Sequence, residues 1–307
     1  MESAPTIMLM KKTIYALGFF DGVHVGHAAL LQECRRLADA QSCKAAAAAV
    51  TFSSHPDTLV LGKTPSLINT IEDRIRLLKA HGMDDVIVLP FDKKMQTMFW
   101  QDFLDSLVES YGAAGLVCGH DFRFGNRGEG NAMLLQSYCQ KKNLPCAVVP
   151  EQKLGEIPVS STHIRTLLEE GRMEEAADFL GHPHILTGEV VTGRKLGRTV
   201  GIPPANISIP EGVVQLPFGV YACKALAEGR EHLAVTNIGN RPTVGGHRIT
   251  VEPWLLDFEG DLYGKGLTLS FYRFLRPEQK FPSLDALKEE IQKNAAQTRK
   301  FFENNTK

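Results

Sequence analysis

The chain has 307 residues, which is enough for two domains of ordinary size. Hydrophobic residues make up 43% and charged residues 22%, as in globular proteins that bury sizeable cores. The formal net charge is -1, and basic and acidic residues are mixed along the chain, so no basic footprint indicates nucleic acid binding. No apolar run has the length of a membrane span. The six cysteines form no CxxC pair and are expected to be reduced thiols of a cytoplasmic protein.

Short apolar runs alternate with amphipathic helical patterns over the first half of the chain. Alternation of this kind predicts crossover units and a parallel, Rossmann-like sheet, which binds ligands at the carboxyl ends of its strands. The predicted strands are Ile14–Phe20, Ala45–Phe52, Asp85–Leu89, Leu116–Gly119 and Ala147–Pro150. The predicted helices are Ala28–Ala40, Glu72–Ala80, Met98–Tyr111, Ala132–Lys142, Ser161–Glu169 and Met173–Leu180.

The pattern changes after Gly181-His182-Pro183, where helical periodicity gives way to short β-rich runs separated by Gly, Pro and Asn clusters. This is typical of a small antiparallel sheet or β-barrel. We therefore predict one domain over residues 1–182 and a second over 183–307, ending in a helix, Leu284–Phe301, that Ser283 caps. The predicted strands are Thr187–Val191, Phe218–Leu226, Leu233–Asn237, Thr250–Asp257 and Leu267–Phe274.

Two histidines lie three residues apart between the first strand and the first helix, in the run Phe20-Asp21-Gly22-Val23-His24-Val25-Gly26-His27. A helix N-terminus offers free N–H donors and the positive end of the helix dipole, which suits phosphate. Gly22 and Gly26 permit tight turns and close approach of the backbone to a ligand. Imidazoles can donate hydrogen bonds to phosphoryl oxygens. The alternatives are surface histidines or a zinc site, but no further ligands at matching spacing are evident.

A second phosphate-binding element is predicted at the helix start Ser160-Ser161-Thr162-His163-Ile164-Arg165. Ser and Thr at a helix start cap it and present hydroxyls beside the free amides. Arg165 on the first turn could bind a phosphate with two parallel hydrogen bonds. The alternative is an ordinary capped helix with a solvent-exposed arginine.

The run that contains the two histidines resembles the HxGH signature of the nucleotidyltransferase superfamily. In its specific form the chain is similar to the bacterial bifunctional riboflavin kinase/FAD synthetase family over nearly its whole length. Further stretches of the first half carry the resemblance: Val50-Thr51-Phe52-Ser53-Ser54-His55-Pro56, Gly119-His120-Asp121-Phe122-Arg123-Phe124-Gly125 and the Ser160–Arg165 segment. Stretches of the second half are the glycine-rich, basic Gly193–Asn206 loop, Asn237-Ile238-Gly239, Val251–Phe258 and Phe274-Leu275-Arg276-Pro277.

The resemblance implies transfer of the adenylyl group of ATP to FMN with release of pyrophosphate, by direct attack of the FMN phosphate. It places His24 and His27 at the transferring phosphate, with Ser161, Thr162 and Arg165 at the β- and γ-phosphates. Phe52 and Phe124 stack on the flavin or simply pack in the core, and core packing is favoured. A divalent metal, Mg2+ foremost, is expected because pyrophosphate leaves. The remaining expected contacts are Phe20, Gly22, Gly26, Gly119 and Asp121 to ATP, and Asn131 and Arg276 to flavin.

For the second half the resemblance implies a riboflavin kinase, in which Glu252 is the base that receives the proton of the riboflavin 5′-hydroxyl. Asn206 would bind the metal and ATP. The chain departs from the family at Pro204, where the family pattern has a metal-binding Thr, and proline has neither a hydroxyl nor an N–H. We therefore expect a retained but weakened kinase. Gly193, Gly197 and Arg198 are expected to contact ATP together with Asn206.

Three other hypotheses remain open at this point. The chain could be an FAD synthetase whose second domain is a flavin-binding or regulatory module, an HxGH enzyme with another substrate such as a cytidylyltransferase, or a non-catalytic nucleotide-binding protein. In each case we expect small-molecule partners, with neither nucleic acid nor membrane involved. The expected state is a monomer or weak homo-oligomer.

Overall fold

The computed structural model describes residues 12–42, 44–60, 62, 64–191, 205–208, 212–243 and 246–305. It divides into two compact units. The first unit is Met1–Pro65 with Arg74–Val159, and the second is Ser66–Asp73 with Ser160–Lys307. The domain boundary after residue 182 stays a prediction.

A five-stranded parallel sheet forms the centre of the first unit, with the strand order β3-β2-β1-β4-β5. Its central strands are buried on both faces, as expected of a sheet covered by helices. The predicted Rossmann-like fold is therefore confirmed. The strands are β1 Thr13–Leu17, β2 Ala46–Phe52, β3 Asp85–Leu89, β4 Ala113–Gly119 and β5 Cys146–Val149.

The strand order creates a switch point between β1 and β4. The chain runs from β1 outward to β2 and β3 and then returns to β4 on the other side of β1. Connections that leave two neighbouring parallel strands in opposite directions open a crevice at their carboxyl ends, where such sheets bind ligands. The run with the two histidines follows β1, and the Gly119–Gly125 stretch follows β4, so both leave this edge of the sheet.

Helices of the first unit pack against the sheet through apolar faces. For example, α1 buries Leu30, Leu31 and Cys34. The bounds are α1 Val25–Asp39, α2 Pro56–Val60, α3 Ile71–Ala80, α4 Lys93–Thr97, α5 Trp100–Glu109 and α6 Ala132–Lys142. The short hairpin of β6 Lys153–Leu154 and β7 Ile157–Pro158 was not predicted, and neither were α2 and α4.

Two predicted bounds near the first motif are wrong. The first strand ends at Leu17 and not at Phe20, because Phe20 has the left-handed conformation that no strand tolerates (φ 61°). The first helix begins at Val25 and not at Ala28, because the side chain of His24 caps it. The turn between strand and helix therefore spans residues 18–24, with His24 at its end and His27 in the first turn of the helix.

In the second unit, a closed antiparallel barrel follows two helices, α7 Ser161–Glu169 and α8 Met173–Leu180. The barrel order is β10-β11-β12-β9-β8-β13, which confirms the predicted barrel. Its strands are β8 His184–Val191, β9 Asn206–Ile207, β10 Gly219–Ala227, β11 Arg230–Thr243, β12 Gly246–Leu255 and β13 Gly266–Pro277.

The C-terminal helix α9, Leu284–Asn304, begins at the predicted cap, where the Ser283 hydroxyl accepts a hydrogen bond from the N–H of Ala286 (3.2 Å). It packs on β10 and β11 and buries Ala295 and Phe302. Among the described residues, no helix is long and apolar enough to cross a membrane.

Candidate active sites

The turn after β1 has a backbone that few residues adopt. Phe20, Gly22 and Val23 all have positive φ, at 61°, 80° and 44°. A β-branched valine in this region is strained, and strain of this kind persists where the surroundings over-determine the conformation. The Phe20 ring is buried beneath the turn, and Gly18 leaves it room, since a Cβ at residue 18 would lie 3.0 Å from the ring.

The two histidines of the turn stack on each other at the start of α1. The rings of His24 and His27 have centroids 3.6 Å apart and are inclined by 13°. His24 Nδ1 accepts a hydrogen bond from the backbone N–H of His27 (3.3 Å), so its other ring nitrogen, Nε2, carries the proton of the neutral form and can donate. The N–H groups of Val25 and Gly26 have no possible partner within the helix.

Gly26 is required by this stack. A Cβ at residue 26 would lie 3.2 Å from both Cε1 and Nδ1 of His24. Any other residue would therefore push on the ring that caps the helix. The sequence indicated only that glycine lets a ligand approach; the structure adds that it makes room for His24.

Burial lowers the pKa of His27 well below its usual value of 6.5, and the positive charges of His24, Arg74 and His81 lower it further. His27 is therefore neutral at physiological pH. Its Nδ1 is buried with no hydrogen-bond partner among the described residues, which leaves Nε2 as the nitrogen available to a ligand. A neutral imidazole can donate one hydrogen bond to a phosphoryl oxygen.

Hydrogen bonds of Thr51 and Arg74 connect the end of β2 to the same turn, and neither residue was among the predicted site residues. The Thr51 hydroxyl donates to the carbonyl oxygen of Phe19 (2.7 Å). Arg74 of α3 donates to the Thr51 hydroxyl and to the carbonyl oxygen of Phe52. A signal for Arg74 existed, because it occupies an apolar-face position of its helix, with Ile71 three residues before it and Leu78 four after.

The loop after β4 brings Gly119 and Asp121 together. A Cβ at Gly119 would lie 3.1 Å from Asp121 Oδ1, so this carboxylate occupies the space that a larger residue would take. The N–H of Phe122 donates to the carbonyl oxygen of Gly119 (3.2 Å), which closes a tight turn. These two residues, both predicted to contact ATP, thus lie in one turn at the carboxyl edge of the sheet.

Phe52 and Phe124 are buried members of the core, as core packing predicts, and both also line a cavity of about 890 Å³. Gly125 and Gly130 shape the loop that carries Phe124, since a Cβ at either residue would lie 2.6 Å from Trp100 or from the Phe124 ring. The other lining residues include Phe91, Met95, Phe103, Arg123 and Arg127.

Asn131 has a structural contact of its own. Its side-chain oxygen accepts a hydrogen bond from the N–H of Leu134 (3.0 Å) and so caps α6. The predicted flavin contact of Asn131 stays a prediction.

In the second unit, the start of α7 has the predicted form. The Ser160 hydroxyl caps the helix by accepting from the N–H of His163 (3.2 Å). Ser161 and Thr162 occupy the first two helical positions and Arg165 the fifth. Two hydroxyls therefore lie beside the free amides of this helix start, as a phosphate-binding element requires.

The barrel brings the predicted metal ligand and the predicted base side by side. Antiparallel strands β9 and β12 pair at Ile207 and Val251, and the N–H of Ala205 donates to the carbonyl oxygen of Pro253 (2.9 Å), so Asn206 lies opposite Glu252. Strand β11 pairs Asn237 with Glu252 on the other side. Opposed residues of antiparallel strands share a face, so the three polar residues form a row across three strands. Asn237 was not among the predicted site residues, although it lies in the family-like stretch Asn237-Ile238-Gly239.

Arg276 of β13 binds the C-terminal helix. Its Nε donates to Asn294 Oδ1 (3.2 Å) and lies 3.2 Å from Glu290 Oε1. The predicted flavin contact of Arg276 stays a prediction, and this structure gives its guanidinium partners in α9. Gly193, Gly197, Arg198 and Pro204 lie outside the described residues.

Comparisons with known proteins match both halves of the chain. A family model described as FAD synthetase matches residues 7–163, and one described as riboflavin kinase matches residues 180–302. Similar proteins named bifunctional riboflavin kinase/FMN adenylyltransferase occur in Listeria monocytogenes (32% identical, covering 94% of this chain and 92% of the relative) and in Escherichia coli K12 (35% identical, with the same coverage).

A solved structure has the same fold over both units. It is described as a macrolide-efflux protein from Streptococcus pneumoniae, and it matches with a TM-score of 0.83 at 27% sequence identity, covering 94% of each chain.

Proposed function

We propose that the chain, which belongs to the bacterial bifunctional riboflavin kinase/FAD synthetase family, phosphorylates riboflavin to FMN and adenylylates FMN to FAD. ATP is the donor in both steps, and the second step releases pyrophosphate. Two observations support the proposal: the stacked histidines at the carboxyl edge of the parallel sheet, and the polar row on the barrel.

In the adenylyl transfer, an oxygen of the FMN phosphate attacks the α-phosphorus of ATP. The new O–P bond forms as the bond from the α-phosphorus to the bridging oxygen breaks, and pyrophosphate leaves. No protein nucleophile is needed, so catalysis is positioning and stabilisation of charge. We assign His24 and His27, each able to donate from Nε2, to the oxygens of the transferring phosphate. Ser161, Thr162 and Arg165 are assigned to the β- and γ-phosphates.

We assign the cavity of the first unit to FMN. Its volume of about 890 Å³ lies within the range of small-molecule sites, and its lining combines aromatic rings with polar and charged groups. Phe52 and Phe124 offer ring faces or edges to the isoalloxazine. Arg123 and Arg127 supply cations for the phosphate of FMN.

In the kinase step, the 5′-hydroxyl oxygen of riboflavin attacks the γ-phosphorus of ATP, and ADP leaves. Glu252 takes the proton of the hydroxyl as the new bond forms. Asn237, beside it, is placed to orient the hydroxyl or the carboxylate.

Magnesium fits the residues of the barrel site. Asn206 and Glu252 are neighbours that offer an amide oxygen and a carboxylate oxygen, which are the kinds of donor that Mg2+ takes from proteins. When bound, the ion neutralises charge on the transferring phosphate. Asn206 is buried, which limits the positions that its side chain can take.

Pro204 bears on how fast the kinase works. Relatives matched over both halves are named for both activities, so an FAD synthetase with a non-catalytic barrel is not favoured. Because proline offers only its carbonyl oxygen, we expect turnover below that of a chain with Thr there. Pro204→Thr should raise the rate of FMN formation and leave FAD formation from FMN unchanged.

We further propose a cytoplasmic enzyme that acts on small molecules without nucleic acid, as a monomer or weak homo-oligomer. The balanced charge and the cysteines, whose described members are free thiols, support this.

The proposed function is tested by incubating the purified protein with ATP and magnesium, once with riboflavin and once with FMN, and separating the flavins by chromatography. The expected result is FMN followed by FAD in the first reaction and FAD in the second. Conversion of supplied FMN without any FMN from riboflavin would reject the kinase. No FAD from FMN would reject the adenylyltransferase.

A further inference from the structure

Helix α3 carries a fully buried arginine. Arg74 has 0% of its surface exposed, as does its neighbour Asp73. Burial lowers its pKa to about 10, against the opposite effect of Asp21, so the guanidinium stays charged at physiological pH. A buried charge is costly unless it is well hydrogen-bonded or paired. The contacts that compensate for the burial of Arg74 therefore indicate which parts of the fold it stabilises.

Those contacts join the ends of the two neighbouring strands β1 and β2. Nη1 of Arg74 donates to Thr51 Oγ1 (3.2 Å) and to the carbonyl oxygen of Phe52 (3.1 Å), both at the end of β2. The guanidinium lies over the Phe19 ring, with Cζ 4.0 Å from its centroid, just after β1. The Thr51 hydroxyl in turn donates a hydrogen bond to the carbonyl oxygen of Phe19, and so links the end of β2 to the residues after β1.

The segment held in this way leads directly into the strained turn. Phe19 precedes the left-handed Phe20, and buried Asp21, whose charge acts on Arg74, follows it. Three residues with positive φ within four positions need an external constraint to stay in one conformation. The Arg74 cluster, which we define as Phe19, Asp21, Thr51, Phe52 and Arg74, supplies it.

We propose that Arg74 is a positioning residue for adenylyl transfer, whose guanidinium holds the ends of β1 and β2 together and thereby aims His24 and His27 at the transferring phosphate. The inference rests on the proposed function and adds a residue to it. Arg74 is wholly buried, so it acts through the turn and does not contact the substrates.

The positive charge of Arg74 also affects the pKa of His27, which can be measured. Among the described residues of the first unit, the titratable groups that act on His27 are His24, Arg74 and His81, and Asp21 acts on Arg74. The positive charge of Arg74 lowers the pKa of His27. Removing that charge should therefore raise the pKa of His27, and Arg74→Lys, which keeps the charge, should leave it nearer the wild-type value.

The experiment compares Arg74→Met, Arg74→Lys and Thr51→Val with the wild type in the full-length protein. Arg76→Met is the matched control, since Arg76 lies on the same helix two residues further along and is exposed. For each variant we measure kcat and KM for FAD formation from FMN, the riboflavin kinase rate of the same preparation, and the titration of the His27 Cε1–H resonance by NMR.

For Arg74→Met we expect kcat for FAD formation to fall about 30-fold, with KM for ATP and FMN changed less than threefold and the kinase rate unchanged. The His27 resonance should titrate at a higher pH. Arg74→Lys should recover part of kcat, because it keeps the charge but loses the planar fork. Thr51→Val, which removes one hydroxyl and little volume, should lower kcat a fewfold, and Arg76→Met should match the wild type.

The inference is overturned if Arg74→Met forms FAD within twofold of the wild-type kcat, or if the His27 titration does not move. If Arg74→Met does not fold, Thr51→Val decides: a kcat equal to that of the wild type overturns the inference. An equal loss in Arg76→Met would overturn it as well. Failure of the proposed function is distinct, because the wild type itself would then form no FAD.

Discussion

Gly26→Ala should separate stability from adenylyl transfer. The new Cβ would lie 3.2 Å from two atoms of the His24 ring, while ordinary carbon contacts are about 3.5–4.0 Å. The ring must therefore move by about half an ångström. A displacement of 1 Å at a reacting group costs about 100-fold in rate, so we expect FAD formation to slow about tenfold.

The same change should leave the fold intact. Alanine is favoured over glycine inside a helix by about 1 kcal/mol, and a weakened helix cap costs about the same. The free energy of unfolding should therefore change by less than about 1 kcal/mol. Urea unfolding measures this, and initial rates of FAD formation from FMN measure the catalytic effect.

Gly266→Ala is the matched control, because a Cβ at that position meets nothing within 4 Å. Riboflavin kinase activity of the same Gly26→Ala preparation is the internal control. If FAD formation by Gly26→Ala stayed within twofold of the wild type, the His24 ring position would not matter and the reasoning would fail. It would also fail if the kinase rate fell in parallel.

Three further predictions address separate parts of the chain. His184 is buried, and burial is the main reason that its pKa is lowered to about 3. Because the unfolded state takes up the proton first, the free energy of unfolding should fall as pH falls from 6.5 towards 3, by about 3 kcal/mol at pH 4.5. Urea unfolding of His184→Gln should lack this loss, and an equal loss in the variant and the wild type would contradict the prediction. Gly119→Ala should raise KM for ATP in FAD formation by displacing Asp121, and an unchanged KM would remove Asp121 from the ATP site. Asn131→Ala should cost about 1 kcal/mol of stability through the lost cap and Asn131→Ser very little, while a weaker affinity for FMN in both would show that its amide also binds flavin.

The fold could be predicted from the sequence where periodicity and connection length agree. Helix α6 spans the predicted residues Ala132–Lys142, and the side chain of Asn131 caps it at its start. The alanine-rich run Ala45–Phe52 favours helix by propensity, yet most of it is strand β2. Its position between two helical patterns was the better guide, since a small side chain suits a strand packed on both faces.

Other features required information that a local pattern does not contain. The helix start at Val25 was missed because an imidazole is not among the usual capping side chains. The pairing of Glu252 with Asn206 and Asn237 depends on the register of three barrel strands that are distant in sequence. The positioning role of Arg74 was also not predicted. A charged residue on the apolar face of a helical pattern is nevertheless a signal that can be searched for in a sequence.

Two variants together test the proposal that one chain holds two independent active sites acting in sequence. His27→Ala should lose adenylyl transfer by a factor of about 100–1000 and still make FMN from riboflavin. Glu252→Gln should make FAD from FMN and no FMN from riboflavin.

The decisive measurement is FAD formation from riboflavin and ATP by an equimolar mixture of His27→Ala and Glu252→Gln. We predict that the mixture forms FAD at about half the wild-type rate or less, while neither variant forms it alone. No FAD from the mixture, with each variant folded and active in its remaining step, would contradict two independent sites. FAD from either variant alone would contradict the assignment of His27 or Glu252.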